Sequence, residues 1–198
     1  MNYAVLDQEE LFRLALHAME NQQHAEAIAL LKQGLSNDDQ DARLHYLLGV
    51  EYAQIGMPER GVEALERAVA LRPALEMAVF QLGLLYLTQG QPDQAVRAWQ
   101  GLDPLPEESP LQLFRQGLQH LIRDEFSQCR SLLTQGIAAN QAVPVLNADM
   151  ARILQQLEPL EEAVQAGVPP EEETQPAVGA AGSLFLRGYA ASGDDPVQ

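Results

Sequence analysis

Leu48-Gly49-Val50-Glu51-Tyr52 and Leu82-Gly83-Leu84-Leu85-Tyr86 decide the fold, because they are two versions of one pattern set 34 residues apart. The same offset carries Gly56 onto Gly90, Pro58 onto Pro92, Gly61 onto Ala95 and Leu65 onto Trp99. One step back it lands on Ala15, Gln22, Ala27 and Leu31, and one step forward on Gly117, Asp124, Cys129 and Leu133. A constant period of this length marks stacked copies of one supersecondary unit. Four repeats follow, over 8–41, 42–75, 76–109 and 110–143, after an N-terminal segment 1–7.

Each register has a physical role. Small residues recur at Ala15, Gly49, Gly83 and Gly117, and again at Ala27, Gly61, Ala95 and Cys129, where two helices must approach closely. Leu31, Leu65, Trp99 and Leu133 fill the space between hairpins. A single hairpin cannot bury its own apolar face, so neighbours must stack. Helix boundaries agree with this reading. Asp7-Gln8-Glu9-Glu10 has the form of a capping box. Pro58 and Pro92 sit where a second helix begins, each followed by an acid that suits the positive end of the helix dipole. Gly56 and Gly90 close the helices before them. No stretch alternates with period two over strand lengths, so the fold is expected to be all-α.

These residues resemble the tetratricopeptide repeat family, whose pattern asks for a large residue, then Leu-Gly and Tyr in a first helix, an Ala and a large residue in a second, and a closing Pro. The second repeat has His45, Leu48, Gly49, Tyr52, Gly61, Leu65, Ala68 and Pro73 at those places, and the third has Val79, Leu82, Gly83, Tyr86, Ala95 and Trp99. The first is looser, with Ala15 and Ala18, and the fourth keeps Gly117 beside Gln116, His120 and Cys129. The resemblance implies a right-handed α-solenoid of four helix pairs, with one side of each first helix lining a concave groove. On that side the sequence has Phe12, Leu16 and Met19, then Tyr46 and Val50, then Met77, Phe80, Leu84 and Leu87, then Phe114, Leu118, Leu121 and Ile122. An aromatic therefore recurs every 34 residues with aliphatic neighbours. Family members that grip a C-terminal carboxylate use Lys and Asn there. The one lysine of this chain, Lys32, lies elsewhere, so a carboxylate clamp is not expected.

The third repeat ends irregularly. Gly101–Pro110 contains three prolines and must break the second helix early, after which Ser109 is placed to cap the next. A capping helix is expected over 144–166, with Asn147, Arg152, Gln155, Gln156 and Glu158 on its polar face. Residues 167–198 read as a flexible acidic tail. It is interrupted by an apolar island, 183–189, whose Leu184, Phe185, Leu186 and Tyr189 have the form of a short docking segment.

Acidic residues number 28 against 12 basic ones, a formal net charge of −16, which repels phosphate backbones and anionic lipid, so no nucleic-acid partner is expected. No apolar run is long enough for a membrane span, the start lacks a signal-peptide pattern, and a cytoplasmic location is expected without membrane insertion. One cysteine, Cys129, excludes an internal disulfide framework. The four histidines fall at unrelated registers and no metal or phosphate motif is present, so no enzyme, metal or cofactor is expected. The expected function is a protein–protein interaction module that holds an apolar or amphipathic protein or peptide segment in its groove. In outline the chain is similar to small bacterial tetratricopeptide chaperones and adaptors of secretion systems. Eleven arginines against one lysine suggest a GC-rich, bacterial genome. The alternative is a structural scaffold subunit of a larger assembly. A second copy of the chain or its own tail are the other candidate occupants of the groove.

Overall fold

A computed structural model describes residues 5–165. Among them every regular element is a helix, and the fold is all-α, of the α-solenoid class. The elements are α1 (Gln8–Glu20), α2 (His24–Asn37), α3 (Ala42–Gln54), α4 (Pro58–Leu71), α5 (Glu76–Thr88), α6 (Pro92–Trp99) with a 3-10 turn (Gln100–Leu102), α7 (Pro110–Ile122), α8 (Phe126–Ala139) and α9 (Pro144–Gln165). The apolar island 183–189 lies outside the described residues. The chain divides into two compact blocks, Met1–Tyr86 and Leu87–Gln198.

In the first block, α1 opens on the expected capping box. The Asp7 carboxylate accepts the Glu10 N–H at 2.8 Å, and the Glu10 carboxylate accepts the Asp7 N–H at 2.9 Å. Leu11, Ala15 and Ala18 of α1 and Ala27, Leu30 and Leu31 of α2 join Leu44, Leu47, Leu48 and Tyr52 of α3 in one core. Close approach is enforced by glycine. A Cβ on Gly49 would stand 2.6 Å from Leu65 Cγ and 3.0 Å from the Gly61 carbonyl oxygen, so α3 and α4 touch backbone to backbone there. A Cβ on Gly34 would stand 2.6 Å from Leu44, which seats α3 on α2.

The turn inside each hairpin repeats one backbone conformation. Gln22, Gly56, Gly90 and Asp124, successive members of the 34-residue series, all have positive φ: 57°, 73°, 70° and 57°. At three of these turns the helix end is tied by a bond that spans five residues: Gln23 N–H to the Ala18 carbonyl at 2.9 Å, Met57 to Tyr52 at 2.8 Å, Glu125 to His120 at 3.0 Å. This is the αL closure that glycine adopts without a Cβ penalty, and that other L residues adopt at a cost of roughly 1 kcal/mol. Gln22→Gly is therefore expected to stabilise the protein by about 0.5–1 kcal/mol in urea unfolding. Gly56→Ala, with nothing within 4 Å of the added Cβ, should cost about the same through backbone strain alone.

In the second block, α6 stops after eight residues, as the prolines of the following loop demand. Two side chains of α7 hold that loop. The buried Gln112 amide donates to the Leu102 carbonyl at 2.9 Å and the Leu105 carbonyl at 3.3 Å. Arg115 donates to the Trp99 carbonyl at 3.1 Å and pairs with Asp103. Ser109 caps α7 by accepting the Gln112 N–H. Gly117 repeats the close crossing of the first block, with its Cβ direction 2.7 Å from Leu133. In α9, Leu146, Met150, Ile153 and Leu157 are buried at helical spacing, while Arg152, Gln155 and Glu158 are exposed. Asn147 is half-buried and is a strut to the helix before it: Asn140 Nδ2 donates to its Oδ1 at 2.8 Å, and its Nδ2 donates to the Asn140 carbonyl at 3.0 Å. Pro159 lies inside α9, where it removes one helical donor.

Candidate partner-binding strip

In the first block, Phe12, Leu16 and Met19 project from α1 and Tyr46 from α3. All four pack against the block's core while remaining partly open to solvent. Val50, Met77 and Leu84 are likewise half-buried. Phe80 differs: it is 0% exposed. In the second block, Phe114, Leu118 and Leu121 are also 0% exposed, Leu87 is buried, and only Ile122 is half-buried. The expected aromatic ladder is thus corrected at five places. Phe80, Leu87, Phe114, Leu118 and Leu121 are core side chains, which no partner reaches without displacing their cover. Phe114 shows one cause. Its ring lies 2.5 Å from where a Cβ on Gly136 would stand, so the ring fills the space that a glycine of α8 leaves.

Arg43 is a member of this surface that the sequence reading missed. Its guanidinium stacks 4.6 Å from the centroid of the Phe12 ring. It is held there by Asp41, the N-cap of α3, through Nε to Oδ1 at 3.1 Å and Nη2 to Oδ2 at 2.8 Å, with Glu9 at 3.6 Å. The strip's one guanidinium is therefore already matched by two carboxylates. The Arg43 hydrogen bonds hold the Asp41 carboxyl below its ordinary range, against the opposing effect of burial. The folded state thus binds that proton more weakly than the unfolded chain does. The resulting stability is present above the unfolded carboxyl value and is lost as acid titrates the group. Asp41→Asn, which keeps a competent cap, should flatten the acid side of the stability–pH curve measured by chemical unfolding. Tyr46, on the same strip, has its hydroxyl pKa raised by burial.

His45, His120 and Cys129 make contacts within the helical scaffold. His45 Nε2 meets the Asp39 carbonyl at 2.9 Å, and His120 joins Glu125 and Arg123 at the α7–α8 turn. Cys129 is buried in α8 at the α7 crossing. Among the described residues no three His, Cys, Asp or Glu side chains gather into a metal-binding group, and no helix is long and apolar enough to cross a membrane.

The tetratricopeptide repeat family model matches residues 42–75, the repeat that contains Gly49, Tyr52, Gly61 and Pro73. Residues 42–75 are a tetratricopeptide repeat. Solved structures agree on the fold. A MamA protein is 16% identical with a TM-score of 0.56 over 100% of both chains. MamA 41-end from Desulfovibrio magneticus RS-1 is 14% identical with a TM-score of 0.59, over 95% of this chain and 97% of that one. A further MamA structure is 23% identical with a TM-score of 0.57, over 67% of this chain and 78% of that one. No curated protein is similar enough in sequence to match. Tetratricopeptide repeats are protein–protein interaction modules.

Proposed function

We propose that the chain is a non-catalytic chaperone or adaptor that holds an apolar or amphipathic segment of a partner protein along α1 and α3. The observation that carries the reading is the set Phe12, Leu16, Met19 and Tyr46: four large apolar side chains seated on one core and still partly open. A partner that covers them gains apolar burial without rearranging the block. The contacts are apolar and Arg43 is already paired, so affinity should change little between low and physiological salt, in contrast to ionic recognition. Tyr46→Ala should weaken the partner by more than about 1 kcal/mol, as a partly buried aromatic anchor does.

Co-purification of the full chain from its native cell tests the role. A chaperone or adaptor releases its client, whereas a scaffold subunit stays with its neighbours through extended washing. Recovery of only a permanent assembly would replace the chaperone reading with the scaffold one. The apolar island Leu184, Phe185, Leu186 and Tyr189 is proposed as a docking segment. Removing residues 166–198 should tighten client binding if the island competes for the strip, and should lose a second partner if it docks elsewhere.

A further inference from the structure

One side of α9 is half open at registers that are closed in the hairpins before it. The 34-residue series carries Ala15, Gly49, Gly83 and Gly117 onto Ala151, and Ala18, Tyr52, Tyr86 and His120 onto Leu154. At the earlier members the following helix packs close. The Cβ direction of Gly49 meets Leu65 of α4, and that of Gly117 meets Leu133 of α8. Ala15, Gly49, Gly83 and Gly117 are all buried, as are Ala18, Tyr52 and Tyr86, whereas Ala151 and Leu154 are half-buried. A proline explains why no second helix returns here. Gln23, Met57 and Glu125 donate the N–H that ties the turn after α1, α3 and α7. The same register holds Pro159, which has no N–H to give. The chain does not turn, and α9 runs on for 22 residues where α1, α3, α5 and α7 have 13. Asn147, Ala151, Leu154 and Glu158 therefore share one side of a straight helix, next to the buried stripe Leu146, Met150, Ile153 and Leu157.

We propose that the apolar island of the tail, Leu184, Phe185, Leu186 and Tyr189, docks on this side of α9 and takes the place of the absent second helix. This deepens the docking-segment reading, on which it rests, by giving the island a site on its own chain. The tether starts at the C-terminal end of α9, and seventeen residues, 166–182, precede the island. A coil of that length spans about 21–25 Å. Leu154 and Ala151 lie 11 and 14 residues before Gln165, or about 17–21 Å back along the helix. A tether whose reach matches the span gives the highest effective concentration at the site, so even weak apolar docking is occupied. Residues 166–182 hold two valines and no Leu, Ile, Met or aromatic residue, which makes the island the first segment after α9 able to fill a helix-sized gap. Charge agrees with the placement. Arg187, the one basic residue of 166–198, sits inside the island, and Glu158 is exposed at the edge of the open side.

Disulfide trapping on the full chain tests the site. Ser183→Cys, at the first residue of the island, is combined in turn with Glu158→Cys on the open side, Arg152→Cys on another side of α9, and Met19→Cys on the α1–α3 strip; Cys129 is buried and stays in place. Intramolecular oxidation rates at low protein concentration are compared with those of the same pairs carrying Phe185→Ser and Leu186→Ser, which keep the tether and remove the anchors. The Glu158→Cys pair should oxidise about tenfold faster than its anchorless version, and the Arg152→Cys pair should change by less than about twofold. Leu154→Asp should abolish the gain at Glu158→Cys. A gain at Met19→Cys instead would put the island on the strip, which overturns this site and keeps the docking segment. No gain at any position would overturn the proposal and the island's docking on its own chain together. Disulfide dimers that grow with protein concentration, in place of the intramolecular product, would assign the open side to a second copy and overturn it as well.

Discussion

Gly49→Leu should unfold the first block or come close to it, with a loss of about 3 kcal/mol or more. Overpacking a well-filled crossing costs about 1–3 kcal/mol even when neighbours can adjust. Here the first added carbon already falls 2.6 Å from Leu65 Cγ and 3.0 Å from the Gly61 carbonyl oxygen. The leucine has a rotamer to change, but the carbonyl is backbone and moves only with α4. A total stability of about 5–15 kcal/mol leaves little margin for such a loss. Gly49→Ala isolates the mechanism. It should gain about 1 kcal/mol of helix propensity over glycine, so a net loss in urea unfolding measures the clash directly. A neutral or stabilising Gly49→Ala would show that the crossing can open.

Trp99→Ala should cost about 3–5 kcal/mol, the range for removing a large aromatic from a core. Trp99 is fully buried at the last residue of α6, where the helix gives way to the 3-10 turn, and its carbonyl accepts from Arg115. The cavity would thus open beside the irregular loop that Arg115 and Gln112 hold. Trp99→Leu restores the residue of the equivalent registers Leu31, Leu65 and Leu133. It should lose clearly less, because part of the volume is kept. Circular dichroism melts are the suitable readout, since Trp99 is the only tryptophan. Equal losses for the two variants would mean that the site is shaped for the indole and cannot relax around a smaller side chain.

The period, the caps and the early end of α6 were legible because each rests on residues with few conformational options. Proline at a first turn, Ser109 before Pro110, and the Asp7–Glu10 pair leave little choice, and Gly56 and Gly90 mark the left-handed turns. Gln22 and Asp124 share that turn conformation with no local signal of their own, and were legible only through the period. The partly open strip was harder to read. In α5, Ala78, Val79, Phe80, Leu82, Gly83, Leu85, Tyr86 and Leu87 are all buried. A helix that is apolar all round carries no period that separates a core face from an open one. Phe80 and Leu84 therefore looked equivalent in sequence, and only one of them is partly open. Glu51 fails in the opposite direction. A glutamate in an amphipathic pattern reads as solvated, and its burial depends on His24, 27 residues away, which no local pattern connects to it.

Site-specific photo-crosslinking tests the partner strip most directly. A photoreactive phenylalanine analogue is placed at Phe12 or Tyr46 in the full chain, and at exposed Glu63 of α4 as the control. On irradiation in the native cell, the first two positions should yield adducts with a partner protein and Glu63 should yield none. Adducts at Glu63 with none at Phe12 or Tyr46, in variants that keep the wild-type helical spectrum, would contradict binding along α1 and α3.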